Sequence, residues 1–392
     1  MRRSTDRILT THAGSLPRPQ SLIAAFSAGN GVLDAGGEAT LSAAVADVVA
    51  AQTRCGVDVV SDGELGKPTI GDVDYGAWAT YVYGRLSGYE LREPRGSESF
   101  LKEIFGRSKD RRDFESYYAA GLDGTAAANR PPRMIPANTG PIKYAGYALV
   151  RRDIANFKAA LEGRDVADAF MTAVFTGVQV GPSEYYETRD EQAVAIAEAM
   201  REEYKAIVDA GLAVQIDDPL LVNVYEMHHS LDGDLKGFRR WAERHVELLN
   251  HALDGIPEEK IRYHLCWGSW VGPHSTDLPL REVIDLLVKI KASQYSFEAA
   301  NPQHEHEWKV WEGGVLPNGR ALVPGVVTHK TNVLEHPETV ADRIVRYADV
   351  VGKENVIAGT DCGLGGRMNP QLAWAKLEAL AEGAELANRR LW

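Results

Sequence analysis

Apolar positions along the chain fall into two interleaved patterns. Short apolar runs occur at Ile8–Ala13, Val57–Asp62, Ala169–Phe175, Ala213–Asp217, Ile261–Cys266, Tyr295–Glu298, Leu322–His329 and Val356–Asp361. Each has the length and boundaries of a strand. Between them, apolar residues recur at helical spacing. Pro337 opens one such stretch, Val340, Ile344, Val345, Ala348 and Val351 mark its apolar face, and Gly352 closes it. Phe238, Trp241, His245, Leu248 and Ala252 mark a second, and Ile196, Met200, Tyr204, Ile207 and Val208 a third. A fourth runs over Leu41–Thr53, which places Cys55 in the core at its end. Strands alternating with helices predict a parallel sheet. Eight of them predict closure into an α/β (β/α)8 TIM barrel with its active site at the C-terminal strand ends.

The rhythm breaks once. A segment of about residues 66–165 separates the second strand from the third. It is rich in Tyr, Gly and Arg and carries a charged stretch at Arg107–Arg112. A strand-like piece (Met134–Thr139) and a helix-like piece (Arg152–Leu161) lie inside it. Compact domains rarely contain a structureless loop of that length. The segment therefore reads as an insertion over the barrel mouth or an oligomer contact, within one domain spanning residues 1–392.

Composition narrows the function. The 392 residues include 43 Lys+Arg and 55 Asp+Glu, a formal net charge of −12. That balance opposes a nucleic-acid partner, which would call for clustered cations. No apolar run approaches the roughly 18 residues of a membrane span. The basic N-terminus lacks the apolar stretch of a secretory signal. Three cysteines cannot build a disulfide framework, so the expected setting is a reducing cytoplasm, with cysteines used for chemistry or packing.

Several strand-like runs end on reactive side chains. Residues i and i+2 of a strand share a face, so His264 and Cys266 project together. Barrel closure brings them toward Glu298 and Cys362, and one imidazole, two thiolates and a carboxylate form a tetrahedral zinc donor set. Such an electron-rich ion polarises carbonyls poorly and is suited to holding a thiol as thiolate. A free thiol of pKa about 8.5 is only roughly 3% ionised at neutral pH, whereas metal coordination ionises it outright. Each element also has a plainer reading. A cysteine at a buried strand end is ordinarily a packing residue, Glu298 could pair with a nearby Arg or Lys, and His304 and His306 of the HEH run form a rival metal pair. Two of only three cysteines at the same ends of barrel strands, with a His two residues from one of them, favour the metal. A zinc-stabilised binding protein without turnover stays open. A metal hydrolase is disfavoured by thiolate-rich ligation.

Taken together, the blocks TTHAGSLPRP (Thr10–Pro19), DGE (Asp62–Glu64), AGLAVQIDDP (Ala210–Pro219), HLC (His264–Cys266), FE (Phe297–Glu298), GVVTH (Gly325–His329) and DCGLGGR (Asp361–Arg367) resemble the catalytic barrel of the cobalamin-independent methionine synthases. The resemblance implies a zinc site of His264, Cys266, Glu298 and Cys362, and homocysteine as the thiol. It implies that Ser15, Glu64 and Asp217 hold the amino-acid end of that thiol, and that His329 handles the leaving-group proton. The implied alkyl donor is a methyl-tetrahydrofolate or a methyl-corrinoid, leaving room for a homo-oligomer or a corrinoid protein as partner. Two family features differ. Asp217-Asp218-Pro219 stands where the family has Asp-Glu-Pro, and Asn223 stands where a downstream Glu contacts the pterin. An aromatic stacking residue after the third strand has only Tyr185 and Tyr186 as candidates. A related reading is the epoxyalkane:coenzyme M transferase type, whose sulfonate thiol calls for cations where Glu64 and Asp217 stand.

Overall fold

The computed structural model describes residues 1–69, 77–95, 108–121, 135–175, 181–225 and 235–392, with backbone alone at 77–79. Eight parallel strands carry the core: β1 (Leu9–Thr10), β2 (Val59–Ser61), β3 (Asp168–Val174), β4 (Ala213–Asp218), β5 (Ile261–Leu265), β6 (Gln294–Phe297), β7 (Ala321–Val327) and β8 (Ile357–Thr360). Their spatial order is β1-β8-β7-β6-β5-β4-β3-β2, so the first two strands of the chain meet at the seam. Side chains and single hydrogen bonds close that seam. Asp58 N donates to Thr10 O at 3.1 Å, Thr10 N donates to Asp58 Oδ2 at 2.9 Å, and Thr11 Oγ1 donates to Val59 O at 2.9 Å. The TIM barrel predicted from the alternation is present, with each of the eight anticipated strands in place.

The outer ring includes α1 (Gln20–Ala28), α2 (Ala35–Arg54), α3 (Tyr147–Leu161), α4 (Arg189–Asp209), α5 (Leu235–Ala252), α6 (Ile284–Leu287), α7 (Pro337–Val351) and α8 (Pro370–Leu391). Local chemistry sets their ends. Asp34 caps α2 through Gly37 N, and Thr188 with Glu191 forms a capping box on α4. Pro337 begins α7 and Gly352 ends it at φ +86°, the left-handed conformation that glycine tolerates best. One face of each long helix is buried against the barrel, as Phe238, His245, Leu248 and Ala252 are in α5. Cys55 is buried at the end of α2.

Between β2 and β3, α3 packs against both α2 and α4, in line with the outer ring. It begins at Tyr147 rather than at Arg152. Ahead of it the strand-like piece is real. Ile135–Asn138 pairs antiparallel with Tyr89–Arg92, while Met134 lies outside the described residues. The charged stretch is helical over Lys109–Asp113, capped by Ser108; Arg107 lies outside the described residues. Asp110 is buried and accepts from Ser275 N at 3.0 Å, and Tyr117 OH donates to Val271 O at 2.9 Å. This part of the segment therefore braces the loop after β5, at the C-terminal end of the barrel. No helix among the described residues is long and apolar enough to cross a membrane.

Candidate metal centre and thiol pocket

Strand alternation delivers the donors as expected. His264 is the penultimate residue of β5 and Cys266 follows its end, while Cys362 lies two residues past β8. One ligand atom from each of these three lies within 4.8 Å of the others. The two sulfurs are 3.7 Å apart, which is the edge length of a tetrahedron with Zn–S bonds of about 2.3 Å. His264 Nδ1 is fixed by Ser296 Oγ at 3.0 Å, and among the described residues its buried Nε2 meets only the Cys362 thiol. A metal-binding imidazole is typically held this way, oriented through one nitrogen with the other turned toward the site. The donor chemistry, the sulfur spacing and the direction of that nitrogen all fit zinc.

The carboxylate stands slightly apart. Glu298 Oε1 is 3.8 Å from Cys266 Sγ and accepts from Trp267 N at 3.0 Å. Its Oε2 accepts from Asn301 Nδ2 at 2.9 Å. It groups with His329 and Asp361 rather than with the three tighter donors. Asp361 ties this half together, accepting from Ala299 N at 2.7 Å and Ala300 N at 2.8 Å. Among the described residues, both ring nitrogens of buried His329 lack hydrogen-bond partners.

The electrostatics follow from burial and crowding. The shared hydrogen bond between the thiols, together with burial, raises Cys266 well above the usual thiol range. The same bond, and then His264, hold Cys362 well below it. Burial pushes Glu298 up to about 7 against the pull of Lys330. Burial also lowers His264, but Cys362 more than offsets this and leaves the imidazole above its ordinary value. His329 is driven well below its ordinary value by burial and then by Lys330, leaving a neutral imidazole.

Beside the donors lies a group of polar side chains. Asp217 on β4 is the register partner of His264 on β5, and Gln215 Nε2 donates to its Oδ1 at 2.6 Å. Burial and the Glu64 charge push Asp217 up to about 7. Glu64 follows β2 in a left-handed conformation, φ +61°, and a Cβ on Gly14 would collide with its Oε1. Ser15 lies against the Gly363 backbone, where a Cβ would strike its Oγ. Its carbonyl accepts from Leu364 N at 2.9 Å and Gly365 N at 3.0 Å. Ser15, Glu64 and Asp217 therefore gather around the His264–Cys362 side of the mouth.

Two lysines join the site without having stood out in the sequence. Lys67 pairs with Glu64 at 3.4 Å, bonds Thr172 Oγ1 and lies over the Tyr81 ring. Glu64 is thus already in an ion pair. Lys330 Nζ is 4.0 Å from Glu298 Oε2. A Glu three residues before a Lys reads as an ordinary surface pair; the turn at Gly63-Glu64 sends both inward instead.

Other sequence candidates have structural posts. Asp218 is fully buried and accepts from Tyr263 OH at 2.9 Å, with His245 Nε2 2.7 Å away. Asn223 Nδ2 donates to Pro219 O at 2.5 Å. Asp218 faces His245, away from the candidate ligands, whereas Asn223 Nδ2 also donates to Cys266 O at 3.4 Å. Tyr186 OH accepts from Ile142 N at 3.1 Å, and Tyr185 is exposed. The HEH pair divides, with His304 buried and His306 exposed, which removes it as a two-histidine metal site.

Residues 110–386 match the family model described as cobalamin-independent synthase, catalytic domain. A 2-hydroxypropyl-CoM lyase of Xanthobacter autotrophicus is 26% identical over 90% of this chain and 86% of its own. A methionine synthase of Sulfolobus acidocaldarius is 25% identical over 97% and 93%. Among solved structures, a B12-independent methionine synthase from Shewanella sp. W3-18-1 superposes with a TM-score of 0.67 at 20% identity. That alignment covers 98% of this chain and 99% of the other, and it shows the shared fold.

Proposed function

Since the chain belongs to the cobalamin-independent synthase catalytic-domain family, we propose that it is a zinc-dependent thiol alkyltransferase, moving a methyl group to the sulfur of homocysteine. The observation that carries the reading is the cluster of His264, Cys266 and Cys362 beside the group of polar side chains. Zinc, when bound, holds the incoming thiol as its thiolate at neutral pH. His264, Cys266, Cys362 and Glu298 are the residues that would hold it.

The other groups bind and orient. Asp217 and Glu64 receive the substrate ammonium, and the Ser15 hydroxyl donates to its carboxylate. Seating the thiol this way aligns its sulfur with the alkyl carbon, and positioning of that kind supplies several kcal/mol of barrier reduction. His329, buried and with both nitrogens unpartnered among the described residues, would handle the proton of the leaving group. The donor is a methyl-tetrahydrofolate or a methyl-corrinoid, and Asp218, committed to His245 and Tyr263, supports neither of them. Two free thiols at 3.7 Å belong in a reducing compartment, so the cytoplasm is the proposed setting. The 66–165 segment is part of a single catalytic domain.

One observation favours a second reading, alkylation of coenzyme M. Lys67 brings a cation into the pocket, and a sulfonate thiol requires one. The test offers homocysteine or coenzyme M to the zinc-loaded enzyme with each methyl donor and with an epoxide, and follows alkylated thiol by mass spectrometry. Methionine formation is expected. Zinc-replete enzyme that alkylates neither thiol would overturn the reading in favour of a binding protein.

A further inference from the structure

Beyond the donors lies a continuous buried chain of charged and polar groups that the proposed chemistry does not use. Lys330 Nζ donates to Gly268 O at 2.5 Å and lies 2.8 Å from His274 Nε2. His274 Nδ1 meets Asp277 Oδ2 at 3.0 Å. Asp277 Oδ2 meets His304 Nε2 at 3.1 Å, and His304 Nδ1 meets Glu307 Oε2 at 2.9 Å. Glu307 Oε1 is anchored by Leu280 N at 2.6 Å. Trp270 stacks on His274 with centroids 4.4 Å apart, and Trp267 on His304 at 4.1 Å. Only 14% of the Lys330 side chain is exposed. A buried ammonium pinned this firmly has a fixed direction, and that direction places it 4.0 Å from Glu298 Oε2.

Glu298 is the one anticipated donor that stands off from the compact set of three. Its resting partners are Trp267 N, Asn301 Nδ2 and the Lys330 charge. A cation at that distance stabilises the carboxylate where it rests and opposes its donation to a divalent ion. We propose that Lys330, braced by His274, Asp277, His304 and Glu307, is a positioning residue that keeps Glu298 a weak, exchangeable fourth donor and so preserves a coordination position for the thiol.

This inference rests on the zinc reading but is tested apart from turnover. Zinc affinity of the full chain is measured by chelator competition for wild type, Lys330→Met, Lys330→Arg and Lys330→Gln, the last keeping a donor for Gly268 O. Removing the charge should tighten zinc about tenfold, equivalent to about 1.4 kcal/mol. Lys330→Arg should stay close to wild type, an outcome that a purely packing role would not produce. The thiol KM should rise in the Met and Gln variants as Glu298 competes with substrate. Unchanged or weaker zinc binding in both neutral variants overturns the role of Lys330 alone. A wild-type protein that takes up no zinc overturns the parent reading instead.

Discussion

Replacing Asp217 with Asn should make the protein more stable and a worse enzyme, with both effects arising from one buried carboxylate. Burial beside Glu64 raises this group from 3.8 to about 7. A carboxyl whose pKa is raised on folding favours the native state while protonated. That contribution is whole below the unfolded pKa and drains away as pH rises to the folded one. At pH 8 the ionised group costs the fold about 4 kcal/mol, and at pH 5 about 2 kcal/mol, at about 1.36 kcal/mol for each tenfold change in proton concentration. Asn resembles the neutral acid in shape and can still accept from Gln215 Nε2, the bond now made at 2.6 Å. Urea denaturation of the metal-free protein should therefore show a gain near about 4 kcal/mol at pH 8, halving by pH 5, while the KM for homocysteine rises at least about tenfold. A variant less stable than wild type at pH 8, or a gain independent of pH, would refute the reasoning.

Other expectations address the donors and the pocket. Cys362→Ser removes one member of a three-atom cluster. Sharing the roughly 10–16 kcal/mol of a structural zinc site over four ligands gives a loss of at least about a hundredfold in affinity, read as metal content after dialysis against a chelator. Full zinc occupancy with unchanged affinity would remove Cys362 from the ligand set. Glu64→Gln should leave zinc content intact and raise the thiol KM. Lys67→Met, which removes the cation a sulfonate requires and frees Glu64 from its 3.4 Å partner, should shift selectivity about tenfold from coenzyme M toward homocysteine. Equal loss on both thiols would assign Lys67 a structural role only.

The barrel was legible because its strands alternate with long amphipathic helices, and because the reactive residues cluster where strands end. His264, Cys266 and Cys362 follow from period-two geometry and closure alone. The strand lengths at the seam did not follow. Ile8–Ala13 contracts to Leu9–Thr10 because β1 has a ladder partner only in β8, while its other side is met by Asp58 and single side-chain bonds. Lys67 and Lys330 escaped notice because lysine is seldom buried, and nothing local marks the turn that points Lys67 inward. His274 and Asp277 sit in a loop without periodicity. Their relation to His304 exists only through folding, across a separation of 27 residues between Asp277 and His304. The departure at Asp218 has a structural reason, since the alternation that aims Asp217 inward turns Asp218 toward His245.

Arg262 gives the barrel a floor. Its guanidinium is wholly buried, lies 3.6 Å from the Phe170 ring centroid, and bonds Gln215 Oε1 at 2.6 Å, Thr11 Oγ1 at 3.0 Å and His12 O at 3.0 Å. These contacts stopper the barrel's waist, two residues below His264. The strand ends that carry His264, Cys266 and Cys362 therefore stand on a packed interior rather than over an open bore.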